Sequence, residues 1–355
     1  MFRVAFGSRT VVLTYVILAL SGFLACTNPV EGQMERINGV SLVNPPSPIG
    51  MEEMQEVQAI NANWVSIIPY GFSRAGEPEI GFDYERQWWG ETSKGTCEMI
   101  SLAHEQDLKV MLKPHIWVGG QGWTGDFDLG SEEKWQVWEK QYTDYILHFA
   151  QIADSMNVGL YCIGTEFRNP AASRPFFWRE LIRKVRNIYK GSLTYAANWD
   201  NFEKITWWDD LDFIGIDAYF PFCEDMDPTL DQLTHSYQPI ADSLSRFAAK
   251  WSKKIIYTEY GFLSVNGSAG KHWELDTSIE NINLDLQARS YKAILEVLQR
   301  SDWYSGGFFW KWHFQVRNKM RLKTRWTPQG KPTMDVIKDY YGNPDFFKKE
   351  NLKER

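Results

Sequence analysis

Residues Val158-Gly-Leu-Tyr-Cys-Ile-Gly-Thr165 form a short apolar run that ends directly before a charged residue, Glu166. Upstream of this run, apolar residues recur at spacings of three and four between positions 135 and 152. Such spacing is typical of a helix that packs one face against a sheet. The two segments together predict a helix followed by a strand, with Glu166 at the carboxyl end of the strand.

The same alternation of short apolar runs and longer helical patterns continues along the chain from residue 36. It predicts parallel strands that are joined by crossover helices. Eight strands are predicted, at residues 37–43, 64–70, 108–116, 158–165, 192–197, 213–219, 254–259 and 306–312. Clear helical patterns cover residues 135–152, 230–251 and 334–341.

Eight strands and eight helices in one chain of 355 residues predict an α/β fold, a single-domain (β/α)8 TIM barrel. An open doubly wound sheet is the alternative. The barrel is favoured because no G-x-G-x-x-G motif follows the first predicted strand, where Gly39 stands alone.

The first 35 residues have the layout of an export signal. Arg3 and Arg9 precede an apolar run at 11–20, and the small Ala25 stands directly before Cys26. This arrangement resembles a bacterial lipobox, in which the cysteine is lipidated and becomes the new N-terminus. The expected organisation is a signal peptide at 1–25, a tether at 26–35, the barrel domain at 36–345 and a charged tail at 346–355.

These features predict an exported lipoprotein, periplasmic or at the cell surface, that is anchored to a membrane through Cys26. An ordinary cleaved signal peptide with an incidental cysteine is the alternative. Export implies an oxidising compartment, in which the other three cysteines could form at most one internal disulfide.

The composition excludes several classes of function. The chain carries 45 acidic and 38 basic residues, and it has no basic run for binding a phosphate backbone, so nucleic acid is not an expected partner. No CxxC or HExxH motif occurs and the six histidines are scattered, so neither a metal site nor another cofactor is expected. The 17 tryptophans fit either core packing or a groove that stacks against sugar rings.

The carboxyl ends of the predicted strands carry the candidate chemistry, because that end of a barrel holds the active site. Glu166 and Glu259 end the fourth and seventh predicted strands, each within a Thr-Glu pair. Either glutamate alone could be a solvated surface group. Together they are the paired carboxylates that glycosidic cleavage requires, one to protonate the leaving oxygen and one to attack or to activate water.

The segments at these strand ends resemble glycoside hydrolase family 113, known for endo-β-1,4-mannanases, within the large (β/α)8 group called clan A. The matching segments are Lys113-Pro-His-Ile-Trp117, Ile163-Gly-Thr-Glu166, Phe213-Ile-Gly-Ile-Asp-Ala-Tyr219, Tyr257-Thr-Glu-Tyr-Gly261 and Gly307-Phe-Phe-Trp-Lys-Trp312. The resemblance implies a retaining β-glycosidase that acts on β-1,4-linked mannan, with Glu166 as general acid/base and Glu259 as nucleophile. One residue departs from the clan: Thr165 stands where an Asn usually contacts the sugar 2-hydroxyl.

Further residues at the strand ends are candidates for supporting the carboxylates or binding the substrate. Tyr219 is expected to donate a hydrogen bond to Glu259, although a buried tyrosine could instead be satisfied by the backbone. Trp310 and Trp312 share one face of the last strand, so both are expected to point inward. Trp310 is the first choice for the floor under the sugar, and core packing is the alternative for the deeper of the two. The other expected substrate contacts are Lys113, His115, Trp117, Asn198, Trp199 and Asp217, with Trp88, Trp89 and Trp123 from glycine-rich loops.

Two alternatives to a mannanase remain open on the sequence. Within the same enzyme class, the substrate could be another β-glycan, such as galactan or xylan. In a different class, the chain could be a surface lipoprotein that binds glycans without cleaving them, since one fold supports many functions. The presence of both glutamates at the two strand ends favours the enzyme.

Overall fold

The computed structural model describes residues 36–120, 123–314 and 322–343 of the protein. These residues belong to one compact unit that begins at Arg36. The expected signal peptide at 1–25, the tether at 26–35 with Cys26 and the charged tail at 346–355 lie outside the described residues. The domain boundaries therefore stay a prediction.

A closed barrel of eight parallel strands forms the centre of the described structure, and it confirms the predicted fold class. The ring runs in the order β1, β10, β9, β8, β7, β6, β4, β2. It closes where β1 pairs with β10, in a register that sets Ile37 beside Gly306. The strands are β1 (Ile37–Leu42), β2 (Trp64–Ile67), β3 (Tyr70–Arg74), β4 (Lys109–Leu112), β5 (His115–Gly119), β6 (Leu160–Thr165), β7 (Ser192–Asn198), β8 (Ile214–Asp217), β9 (Ile255–Tyr260) and β10 (Tyr304–Trp312).

The strands β3 and β5 form a separate two-stranded parallel sheet just past the ends of β2 and β4. The sequence predicts continuous strands at 64–70 and 108–116, and the structure divides each of them. The breaks fall at Pro69 and Pro114, because proline has no N–H to donate to a strand ladder. The small sheet extends the barrel wall and carries His115 and Trp117 above the barrel mouth.

Helices cover the outside of the barrel, as predicted. They are α1 (Met51–Gln58), α2 (Ser93–Glu105), α3 (Glu132–Ser155), α4 (Arg168–Ser173), α5 (Pro175–Ile188), α6 (Leu230–Trp251), α7 (Leu284–Leu298) and α8 (Thr333–Gly342). Their distribution differs from one helix per strand, since β6 is followed by both α4 and α5. The crossover from β7 to β8 has two short 3-10 turns instead of an α-helix, and its Trp207 and Trp208 are fully buried against the barrel.

Most of the aromatic side chains on the helices pack into the core between the helices and the barrel. In α3, Trp138 and Tyr142 are buried, with parallel rings 4.5 Å apart. A smaller buried cluster takes alternate residues from the strands and fills the barrel itself, including Met111, Leu160 and Phe308. Among the described residues, no helix has both the length and the apolar character needed to span a membrane.

The close spacing of β7 and β8 predicts that Gly215→Ala destabilises the protein. A Cβ at this position would lie 2.3 Å from the backbone oxygen of Tyr195 and 2.6 Å from Oγ1 of Thr194. A backbone atom of a barrel strand moves only at a cost, so we expect a loss of roughly 1–3 kcal/mol in the free energy of unfolding, measured with urea.

Gly119→Ala is the matched control, because its Cβ would meet nothing closer than the backbone oxygen of Ser73 at 3.6 Å. We expect this variant to stay within about 0.5 kcal/mol of the parent. Equal stability of the two variants would contradict the packing described for the barrel.

Candidate active site

A cleft of about 610 Å³ opens at the carboxyl end of the barrel. Nine of its lining residues are site residues predicted from the sequence: His115, Trp117, Trp123, Glu166, Asn198, Trp199, Tyr219, Glu259 and Trp310. The others are Tyr70, Val118, Thr124, Asp126, Arg168, Asp200, His272, Trp273 and Trp326. Barrel closure thus brings both candidate carboxylates into one cavity.

Glu166 stands directly after β6, and its backbone is in the left-handed region, with φ of +54°. That conformation is uncommon for a residue with a side chain and is often found at functional sites. The neighbouring strand holds it, because the Glu166 N–H donates to the Ala196 carbonyl at 2.8 Å. On the side chain, Oε2 accepts a hydrogen bond from Nε1 of Trp123 at 2.8 Å.

The surroundings of Glu166 raise the pKa of its carboxyl group to about 7. Burial is the largest cause, and the charge of Glu259 adds to it, whereas the Trp123 hydrogen bond and the charge of Lys113 act in the opposite direction. Near neutral pH, both the protonated and the ionised forms are therefore populated. A residue that donates a proton in one step and accepts one in the next must have both of these forms available.

Glu259 lies within β9 and is only 7% exposed. Its Oε1 accepts from the ammonium of Lys113 in a buried ion pair, and its Oε2 accepts from the hydroxyl of Tyr219 at 2.7 Å. Burial raises the pKa of Tyr219 well above its ordinary value, so the phenol stays protonated and donates. One cationic and one neutral donor therefore hold the two oxygens of this carboxylate.

The two carboxylates thus differ in what they can do chemically. Glu166 can carry a proton near neutral pH, whereas Glu259 faces an ammonium and acts as an acceptor. Carboxyl groups with such contrasting surroundings in one cleft are typical of an acid and an anionic nucleophile. The arrangement suits cleavage of an acetal such as a glycosidic bond.

Lys113 and Asp217 do not line the cleft, contrary to the prediction that they contact substrate. Both side chains are fully buried beneath it, where Lys113 reaches Glu259. The prediction placed Lys113 and His115 on one face of one strand. The break at Pro114 separates them, so that His115 lines the cleft from β5 while Lys113 lies inside the barrel.

Trp310 lines the cleft, but Trp312 does not. Trp312 is 5% exposed and belongs to the hydrophobic core. The prediction that both share a face assumes regular alternation along the strand. The register with β1 shifts between Ser41 and Leu42, which pair with Trp310 and Trp312, so the alternation fails at this point.

Trp88 and Trp89 also lie away from the cleft. Trp88 is 51% exposed and Trp89 packs against the core. Their loop is held by backbone hydrogen bonds in which Trp89 and Gly90 donate to Pro46 and Pro45, at 3.3 and 3.0 Å. The loop therefore turns its tryptophans away from the site, and of the three predicted loop tryptophans only Trp123 lines the cleft.

Aromatic residues from the loops after β9 and β10 line the cleft, and the sequence reasoning missed them. Trp273 lies parallel to Trp199, with ring centroids 6.1 Å apart, and Trp326 packs edge-on against Tyr219 at 5.1 Å. The rule that singled out Trp123, a large aromatic residue in a polar loop past a strand end, also applies to Trp273. Its half-exposed ring confirms that it is not a core residue.

Arg168 is another cleft residue that the sequence reasoning missed. Its guanidinium lies 4.8 Å from the Trp123 ring centroid, pairs with Asp126 and lies 3.1 Å from Asp200. These contacts come from the loop after β5, which holds both Trp123 and Asp126, and from the loop after β7, so no local sequence pattern could reveal them. They support the ring that donates to Glu166.

Thr165 was singled out in the sequence because it replaces an Asn that usually contacts the sugar 2-hydroxyl. Thr165 is buried and is not a lining residue of the cleft, so it is not placed to contact a sugar hydroxyl. Within residues 36–120, 123–314 and 322–343, no group of three or more His, Cys, Asp or Glu side chains is arranged to hold a metal ion. In the same ranges Cys97, Cys162 and Cys223 are free thiols.

Comparisons with known proteins give a consistent result. The sequence profile of Glycoside Hydrolase Family 113 matches residues 46–331. The GH113 β-mannanase of Alicyclobacillus acidocaldarius, solved in complex with ManMIm, is 25% identical with a TM-score of 0.76, over 87% of this chain and 97% of that one. A GH113 β-1,4-mannanase structure is 25% identical with a TM-score of 0.73, over 87% of this chain and all of that one.

More distant structures share the fold alone. The β-glucuronidase of Faecalibacterium prausnitzii is 14% identical with a TM-score of 0.59, over 87% of this chain and 49% of that chain. A search of curated proteins finds no match.

The hydrogen bond from Trp123 predicts a shift in the pH profile of the variant Trp123→Phe. The N–H stabilises the ionised form of Glu166, so its loss raises the pKa of Glu166 further. The acid then stays protonated to higher pH. We expect the basic limb of kcat/KM to move upward by about one pH unit.

Trp117→Phe is the control, because Trp117 also lines the cleft but has no hydrogen bond to Glu166 among those described. This variant should keep the basic limb in place, even if its KM rises. An unchanged basic limb in Trp123→Phe would contradict the proposed influence of Trp123 on Glu166.

Proposed function

This chain belongs to glycoside hydrolase family 113, and from that premise we propose that it cleaves β-1,4-mannosidic linkages in mannan-type polysaccharides or oligosaccharides with retention of configuration. The single observation that supports the mechanism is the contrast in hydrogen-bond partners between the two carboxylates. Glu259 accepts from Lys113 and Tyr219, whereas Glu166 accepts from Trp123. The substrate is supported by the two GH113 relatives, both of which are described as β-mannanases.

In the proposed reaction, the Glu259 carboxylate attacks the anomeric carbon while protonated Glu166 gives its proton to the departing glycosidic oxygen. The first product leaves, and the remaining sugar is joined to Glu259 as an ester. Ionised Glu166 then removes a proton from water, which attacks the same carbon and releases Glu259. Glu166 ends the cycle protonated, as it began.

The reverse assignment of the two glutamates is not favoured. The raised pKa of Glu166 suits the residue that must alternate between acid and base. A nucleophile must be anionic and correctly oriented, and Glu259 has an ammonium on one oxygen and a phenol on the other. Each oxygen can still offer a lone pair to the sugar.

The aromatic lining of the cleft supports a sugar substrate. The tryptophans that line it include Trp117, Trp199, Trp273 and Trp310. Aromatic faces with a few polar groups are what a carbohydrate-binding cleft requires, because sugar rings present both apolar C–H faces and hydroxyl edges. A linear β-glycan therefore fits the cleft better than a charged or wholly apolar ligand.

We expect hydrolysis of β-1,4-mannohexaose, with the β-anomer of the product appearing before mutarotation in proton NMR. The variants Glu166→Gln and Glu259→Gln are the controls. Loss of the general acid should slow turnover by roughly 10²–10⁴-fold, and loss of the nucleophile should abolish it, while the folded structure remains.

The other outcomes of this experiment are equally informative. If the α-anomer appears first, mannan remains the substrate but Glu259 is not the nucleophile. If the protein cleaves galactan or xylan and not mannan, that glycan is the substrate. Binding of β-glycans with no cleavage of any of them would favour the non-catalytic glycan-binding protein over the enzyme.

We also propose that the protein is a membrane-anchored lipoprotein, on the lipobox resemblance at Ala25-Cys26. When the full chain is expressed in a bacterial host, the parent protein should fractionate with membranes and the variant Cys26→Ser should not. Equal fractionation of the two would support an ordinary signal peptide, or no anchor at this cysteine.

A further inference from the structure

Lys113 lies just beyond the end of β4, at the end of the barrel where substrate would bind, yet its side chain is completely buried. Its Nζ donates to Oε1 of Glu259 and lies 3.9 Å from Oδ1 of Asp217. Lys113 is not a lining residue of the cleft, so its side chain does not contact a sugar bound there.

One ammonium therefore faces two carboxyl groups inside the barrel. The same oxygen of Asp217, Oδ1, also accepts from the hydroxyl of Thr258 at 2.7 Å. The nearby thiol of Cys162 is neutral, because burial raises its pKa to about 12. For Lys113, burial lowers the pKa but the charges of Asp217 and Glu259 raise it above the ordinary value, so the side chain stays charged.

We propose that Lys113 is a positioning residue for the reaction: from beneath the cleft it holds Oε1 of Glu259 while Tyr219 holds Oε2, so that the carboxylate is presented to the anomeric carbon as an anion. Asp217, 3.9 Å from the same ammonium, is the second carboxyl group that faces it. The inference deepens the proposed function and rests on it, because it takes Glu259 as the nucleophile.

Stability alone does not account for this arrangement. A buried ion pair is often no more stabilising than apolar side chains of the same volume, because both charges lose their hydration. The buried ammonium of Lys113 is therefore better explained by its effect on the orientation of the Glu259 carboxylate. Contact with one oxygen of Glu259 limits the rotation of the carboxylate, and misplacement by about 1 Å is enough to slow a reaction by about 10²-fold.

Several other titratable groups face this pair, and they come from different strands and loops. Apart from the neutral His115, they are Tyr70, Cys162, Glu166, Asp217, Tyr219 and Lys311. The tyrosines and the thiol stay uncharged at neutral pH. A change in charge at Lys113 is therefore felt mainly by the carboxyl groups.

The test compares Lys113→Met with the parent full-length protein in two measurements. The first needs no substrate: the ¹³C NMR signal of the Glu259 side-chain carboxyl is recorded, with Glu259→Gln used to assign it. Removal of the ammonium should displace and broaden this signal, because one carboxyl oxygen loses its donor and the group becomes freer to rotate. The second is the kinetics on mannohexaose, in which kcat should fall by about 10²-fold while KM stays near the parent value.

Two control variants separate positioning from a structural role. Lys331→Met also removes a buried lysine, whose amine donates to Ser264 Oγ at 2.8 Å and to the Arg325 carbonyl at 2.7 Å instead of to Glu259. Burial lowers the pKa of Lys331 to about 7. This variant should lower stability without displacing the Glu259 signal. Asp217→Asn keeps the ammonium on Glu259, so it should leave the Glu259 signal near its parent position and lower kcat less than Lys113→Met does.

An unchanged Glu259 carboxyl signal in Lys113→Met would overturn the inference, as would an increase of KM with kcat unaltered, which indicates direct contact with substrate. An equal displacement of the signal in Asp217→Asn would also overturn it, because a general loss of packing would then be the cause. If the parent protein cleaves no glycan, the proposed function fails, and the NMR signal still decides whether Lys113 holds Glu259.

Discussion

Closure of the barrel between β1 and β10 is the constraint that creates the site. All eight strands of the ring are parallel, so their carboxyl ends must meet around one opening. Glu166 follows one of these strands and Glu259 lies in another, far apart in the chain. Their meeting in one cleft is therefore a consequence of backbone hydrogen bonding, and the side chains add the electrostatics.

The electrostatics depend on the buried layer beneath the cleft. Lys113, Asp217 and Thr258 occupy interior positions at the top of the barrel, where water is replaced by protein groups. The ammonium faces Glu259, whereas the side-chain donor described for Glu166 is the neutral Trp123. This difference in partners is what turns two chemically identical side chains into an acid and a nucleophile.

The fold, the strand order along the chain and the location of both glutamates could be predicted from the sequence. The spacing of apolar residues and the residues that end each apolar run are local patterns, so they are visible without knowledge of the tertiary structure. Prediction failed where geometry depends on long-range contacts. Trp312 was assigned to the cleft because a register shift in β10 is not visible in its own residues. Lys113 was assigned to substrate because its partner, Glu259, lies on a distant strand. Arg168 was missed because its contacts come from two loops that are distant in the sequence.

The identity of the nucleophile is tested most directly by trapping the glycosyl-enzyme. The protein is treated with 2-deoxy-2-fluoro-β-mannosyl fluoride, which slows the second displacement, and the labelled peptide is then identified by mass spectrometry. The account predicts one fluoromannosyl group per chain, on Glu259, and none in Glu259→Gln. A label on Glu166 or on any other carboxylate would contradict it.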